Sequence, residues 1–173
     1  MSLEPERFSA RYAVRALTED DIPTMLALCR TNPFFYEVCG APVTEDVLRH
    51  DLSLVPEGVA RENKHFVGFF DGARLAAMLD LLDGYPEDGS VFIGFFMVDG
   101  TLSGQGLGSR VIDELCAYLR ACGRTGARLG YDKDNPQSTH FWNKNGFVPR
   151  REVRHEYSEG CFGQIIVAER KPI

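Results

Sequence analysis

An apolar run, Val91 to Val98, leads almost directly into the turn Ser103-Gly104-Gln105-Gly106-Leu107-Gly108-Ser109 and then into an amphipathic stretch, and few folds accommodate that order. The run is nearly unbroken instead of alternating, which predicts a central strand covered on both faces by helices. Beyond the glycines, Leu107, Val111, Ile112, Leu115, Cys116, Leu119 and Cys122 recur at helical spacing, with Arg110, Asp113, Glu114 and Arg120 off that face; Gly123 and Gly126 close the segment. A strand, a tight turn and a helix N-terminus in succession present unpaired main-chain amides to a negative group. The turn is therefore expected to cradle an anion, with phosphate the natural guest.

The flanking segments supply the other elements. Arg11 to Leu17 reads as a short strand, and Thr18, with Asp21 three residues on, reads as a capping box opening a helix that Pro33 ends. The aromatic stretch Asn32-Pro33-Phe34-Phe35-Tyr36 is expected to be a loop, followed by a second helix from Thr44. Lys64 to Phe70 and Arg74 to Leu82 form a hairpin about Asp71-Gly72. After the glycine turn and its helix come a strand at Ala127 to Asp132, a helix at Pro136 to Asn145, and strands at Val148 to Tyr157 and Gly163 to Arg170. The order βααβββαβαββ predicts an α/β (mixed α+β) fold, with a mixed central sheet of six to seven strands and helices on both faces. At 173 residues the chain is expected to be a single domain, residues 1–173, without repeats or linkers.

Charge and composition exclude several classes. A net charge of −6 argues against broad attachment to nucleic acid, which needs a basic surface. No apolar run reaches the length of a membrane span, and the acidic, proline-containing start does not resemble a signal peptide, so a cytoplasmic setting is expected. Five cysteines without a CxxC pair are expected as free thiols, and no metal is assigned.

The glycine turn fails two phosphate-binding patterns. It has Ser109 where a dinucleotide fingerprint requires its third glycine, and no lysine follows Gly106 or Gly108 as a Walker loop demands. It resembles instead the Gln/Arg-x-x-Gly-x-Gly/Ala motif of the GNAT family of N-acetyltransferases, written here Ser103-Gly-Gln-Gly106-Leu-Gly108. Asn135-Pro-Gln-Ser138-Thr-His-Phe141-Trp142-Asn-Lys-Asn-Gly146-Phe147 is similar to that family's Asn-x-x-Ala-x-x-Phe-Tyr-x-x-x-Gly-Phe segment. The resemblance spans nearly the whole chain. It implies acetyl-coenzyme A as co-substrate and transfer of its acetyl group to a primary amine of a small molecule or peptide by direct attack. It also carries a homodimer as the family-level expectation.

On that resemblance, the cofactor is held by Phe96, Met97 and Val98, by Ser103, Gly104, Gln105, Gly106, Leu107, Gly108, Ser109 and Arg110, and by Asn135, Ser138, Phe141, Trp142 and Lys144. Two departures bear on the chemistry. Trp142 stands where many members place a proton-donating tyrosine, and an indole N–H donates a hydrogen bond without delivering a proton. The strand from Ser90 to Val98 has no carboxylate, so a base must come from elsewhere: Asp80, Asp83, Glu37 and Asp132 are candidates by position. Phe34, Phe35, Tyr36, Tyr85 and Tyr131 are candidates for the acceptor site, the aromatics offering a wall to an apolar or cationic amine. A second function class, a coenzyme A-binding sensor that has lost efficient chemistry, stays open because of the same two departures.

Overall fold

The structure, a computed structural model, describes residues 2–158 and 161–173. Strand β1 (Ala13–Ala16) is followed by α1 (Ile22–Arg30), α2 (Pro33–Cys39) and α3 (Glu45–Ser53). Next come β2 (Lys64–Asp71), β3 (Arg74–Asp83) and β4 (Ser90–Val98), then α4 (Leu107–Ala121), β5 (Gly126–Asp132), α5 (Pro136–Lys144), β6 (Val148–Ser158) and β7 (Cys161–Arg170). The strands form one sheet in the order β1-β2-β3-β4-β5-β7-β6, antiparallel throughout except where β4 meets β5. That parallel pair is joined by α4, the crossover helix a parallel connection requires.

Local chemistry accounts for the elements. Gly72 takes φ +59° at the β2–β3 hairpin, and Asp21 accepts a 2.9 Å hydrogen bond from the Thr18 N–H, as the capping box predicts. The helix does not start at Thr18, however: a short 3-10 turn, Glu19–Asp21, precedes α1. The expected aromatic loop is also a helix, α2. Pro33 occupies its first turn, where a missing N–H costs nothing, and Gly40 at φ +68° ends it. The element order is thus βαααβββαβαββ.

Two cores lie on opposite faces of the sheet. On one, Val111, Ile112, Leu115 and Leu119 of α4, each fully buried, pack on Val91, Ile93, Ala127 and Leu129, each such side chain contributing about 1.5–3 kcal/mol. On the other, Ile22, Met25 and Cys29 of α1 and Leu48 of α3 cover Phe66, Met78 and Met97. Cys29, Cys39, Cys116 and Cys122 are free thiols; the Cys161 side chain lies outside the described residues. No helix among the described residues is long and apolar enough to cross a membrane.

Candidate active site

The site begins with a fault in the sheet. Leu81 pairs with Ile93 but Asp80 pairs with Phe95, so Gly94 is an extra residue on β4. Such a bulge bends the strand that carries it. The parallel pairing of β4 with β5 ends at this point, its last pair being Ile93 with Leu129, and the two strands diverge. A cavity of about 530 Å³ occupies the gap, lined by Phe92 to Phe96 of β4, Arg128 to Asp132 of β5, and Ser138 and Trp142 of α5.

Main-chain geometry decides which β4 groups face the gap. The Asp99 N–H donates to Ala76 O at 2.8 Å, and hydrogen bonding alternates along an antiparallel pair. Phe95 and Met97 therefore bond towards β3, while Phe96 and Val98 turn their main-chain groups to the β5 side, where no strand pairs with them. Val98 O accepts from the Asn32 side chain at 3.0 Å. Met97 differs from its neighbours: its side chain is buried in the α1–α3 core.

The next turn is clamped. The Asp99 carboxylate accepts from Arg74 Nε at 3.0 Å and from the Thr101 N–H at 2.9 Å, and the Gly100 N–H donates to Thr31 Oγ1 at 2.7 Å. Beyond it, Gly104 and Gly106 have φ +78° and +76°, a conformation that disfavours any other residue, and Gly106 is the N-cap of α4. Residues 103–106 are exposed, and the first α4 amides precede any intrahelical acceptor. A Cβ on Gly108 would stand 2.9 Å from Phe141 and 3.3 Å from Val98, so this glycine lets α4 start against both β4 and α5. Arg110 and Lys144 are exposed without an ion-pair partner among the described residues.

Aromatic side chains close the floor. Phe96 stacks on Phe141 with centroids 5.9 Å apart, and Trp142 meets Phe141 and Phe147 edge-on at 4.9 and 5.1 Å. Asn135 is buried and caps α5, its side-chain oxygen accepting from the Ser138 N–H at 3.0 Å.

The candidate bases separate. Asp80 sits directly behind the bulge, and Lys64 Nζ donates to both its oxygens at 2.7 Å; the Lys64 side chain is 4% exposed. Burial raises the Asp80 carboxyl above its ordinary value, with Lys64 opposing the shift. Asp51 of α3, also raised by burial, lies in the same electrostatic cluster. Asp83 is instead bound to Arg124, whose Nε donates to it at 2.7 Å, and does not line the cavity. Glu37 lines a second, open pocket between α1 and α2. Asp132 lines the cavity and accepts from the Asp134 N–H at 2.7 Å.

The aromatic trio does not form one wall. Phe35 reaches the cavity and meets Phe95 edge-on at 6.0 Å; Tyr36 lines the second pocket, and Phe34 points to solvent. Tyr36 is half-buried, and burial raises its phenol far above the usual range. Tyr85 and Tyr131 both line the cavity, Tyr85 edge-on to Phe92 and Tyr131 with its phenol raised by burial. Sequence reasoning missed Gly94, Lys64, Cys39 and the wall made by Arg151, Val153, His155, Ile165 and Val167. A lone glycine inside a strand pattern was the available signal for the bulge; the β6–β7 wall had none.

The fold superposes on those of solved acetyltransferases. An acetyl transferase from Salmonella typhimurium that modifies the N-terminal serine of ribosomal protein L7/L12 superposes with TM-score 0.74 at 18% identity, covering 96% of this chain and 98% of its own. An acetyltransferase from Thermus thermophilus gives 0.72 at 20%, covering 92% and 96%. The PaiA N-acetyltransferase of Thermoplasma acidophilum, solved in complex with coenzyme A, gives 0.64 at 16%, covering 91% and 97%. At these identities the likeness is one of fold. No curated protein matches the sequence. The family model described as Acetyltransferase (GNAT) family matches residues 26–147, most of the chain. The protein belongs to the GNAT family and is an acetyltransferase.

Proposed function

We propose that the protein transfers the acetyl group of acetyl-coenzyme A to a primary amine of a small molecule or peptide by direct attack of that amine. The observation that carries this reading is that the glycine turn and the cavity where β4 leaves β5 meet through one ring pair: Gly108 seats α4 against Phe141, and Phe141 stacks on Phe96, which lines the cavity. The residues fit the group: Gly104 to Ser109 offer amides to a pyrophosphate, and Arg110 adds a cation beside them. When bound, acetyl-coenzyme A supplies an activated acyl thioester. The β4 amides give N–H donors for negative charge on a carbonyl oxygen in the gap.

Asp80 does not itself line the cavity, but it backs onto Gly94, which does, and burial makes it more basic, so it is assigned to take the amine's proton through a water. Trp142 shapes the floor and delivers no proton. A thiol like that of cysteine has a pKa of about 8.5, so its thiolate leaves without an acid. The sensor reading survives on one observation: Lys64 holds both Asp80 oxygens.

Two measurements separate the readings. Coenzyme A at 100 times its Kd should stabilise the fold by about 2.7 kcal/mol, raising Tm by about 5–10 °C. Thiol release from acetyl-coenzyme A across a panel of primary amines should then exceed the amine-free rate. Stabilisation without amine-dependent release on any amine selects the sensor; no stabilisation refutes the cradle itself.

A further inference from the structure

Arg128 on β5 and Arg151 and His155 on β6 line the cavity's far wall, with Val153, Ile165 and Val167 between them. These side chains share a face because of register: Gly130 pairs with Val167 and Val167 with Arg151, while Asp132 pairs with Ile165 and Ile165 with Val153. Arg128 is engaged by Glu169 at 3.2 Å and lies 3.7 Å from Glu87, and Glu169 also meets Arg150 at 3.3 Å. Arg151 has no hydrogen-bond or ion-pair partner among the described residues, yet it lines the cavity.

We propose, resting on the acetyl-transfer reading above, that Arg151 binds the carboxylate of the acceptor, and that the acceptor is a small amino acid with an apolar body. A guanidinium fork matches a carboxylate through two parallel N–H bonds, which fixes the acceptor's orientation as well as holding it. Arg151 and Asp132 line the same cavity of about 530 Å³, so one small zwitterion is offered both a guanidinium and a carboxylate there. Phe92, Val153, Ile165 and Val167 then flank an apolar side chain, and Asp132 on the β5 wall attracts the ammonium end. The Arg151 guanidinium disfavours a polycation, so of the apolar and cationic amines that the aromatic residues left open it selects against the cationic kind.

The test compares L-leucine, L-methionine and L-phenylalanine with their carboxamides, and with spermidine, in the thiol-release assay. The wild type should prefer at least one carboxylate over its amide by tenfold or more in kcat/KM, and Arg151→Gln should reduce that preference to under threefold while leaving the KM for acetyl-coenzyme A unchanged. Equal rates on every pair, faster turnover of spermidine, or an intact preference in Arg151→Gln overturns the proposal without touching the acetyl-transfer reading. Calorimetric titration of N-acetyl-L-leucine into the protein–coenzyme A complex provides a readout that needs no turnover. Binding weakened tenfold by Arg151→Gln supports the site even if chemistry fails, and binding unchanged by the substitution, or no binding by the wild type, counts against it.

Discussion

A Cβ placed on Gly94 would stand 3.0 Å from Asp80 Oδ2, so the bulge of β4 and the carboxylate of β3 share space that only glycine leaves open. Lys64 holds that carboxylate by both oxygens and prevents it from stepping aside. Gly94→Ala should therefore displace Asp80 or widen the bulge. A loss of about 10- to 100-fold in kcat/KM is expected, since small misplacements cost that much. An unchanged kcat/KM would detach Asp80 from the chemistry.

Removing the carboxylate tests its role directly. Asp80→Asn should lower kcat/KM by about 10²–10⁴ and also leave Lys64 buried and unpaired, at about 3–5 kcal/mol. The double variant Lys64→Met with Asp80→Leu removes both charges and should regain most of that stability without regaining activity. Burial raises the Asp80 carboxyl above its ordinary 3.8, so activity should fall as pH drops through that raised value. This acid limb should vanish in Asp80→Asn; its survival there would assign the base to another group.

Gly106 and Gly123 allow strain to be separated from binding. Their φ values are +76° and +81°, and a Cβ on either meets nothing within 4 Å. Alanine at each position should cost about 1–2 kcal/mol, measured by urea unfolding. Only Gly106→Ala should weaken coenzyme A binding, by about tenfold, because only that turn aims amides into the cradle. Equal affinity in both variants would move the phosphate site elsewhere.

Trp142 serves packing. Trp142→Phe should keep kcat within about threefold, whereas Trp142→Ala, which empties the ring cluster, should cost about 3–5 kcal/mol. A hundredfold fall in kcat for a fully folded Trp142→Phe variant would show that the indole N–H matters to the reaction.

Asp21 governs a separate pH response. Its hydrogen bonds from Arg15, at 2.8 and 2.7 Å, hold its pKa down to about 2, with the Thr18 N–H adding to the effect. A carboxyl depressed on folding stabilises above its unfolded pKa of about 3.9 and loses that contribution as pH falls towards 2. Asp21→Asn should cost about 1 kcal/mol at neutral pH, a modest sum because Arg15 is half exposed. The gap from wild type should close between about pH 4 and 2; a gap constant over that range would make it a packing effect.

Segments whose structure is set by neighbours in the chain were legible before folding was considered. The glycine turn, the Thr18–Asp21 box, the Asp71-Gly72 hairpin and the α4 stripe are each specified within a dozen or so residues, because turns, caps and periodic faces answer to local sterics and hydrogen bonding. The helix α2 escaped that reading because Pro33 serves equally to end one helix and to begin another, and the choice fell to Gly40 and to Asn32, whose side chain bonds to Val98 O across the molecule.

The sequence by itself determined the donor end: Ser103 to Ser109 and the α4 face are contiguous, so the amide cradle is built wherever they fold together. Tertiary structure alone decided the acceptor end. Gly94 parts β4 from β5 only because it lies opposite the junction of Asp80 and Leu81, and Arg151 meets the cavity only because β7 lies between β5 and β6. Strand order and register join residues far apart in the chain, and no local spacing encodes them.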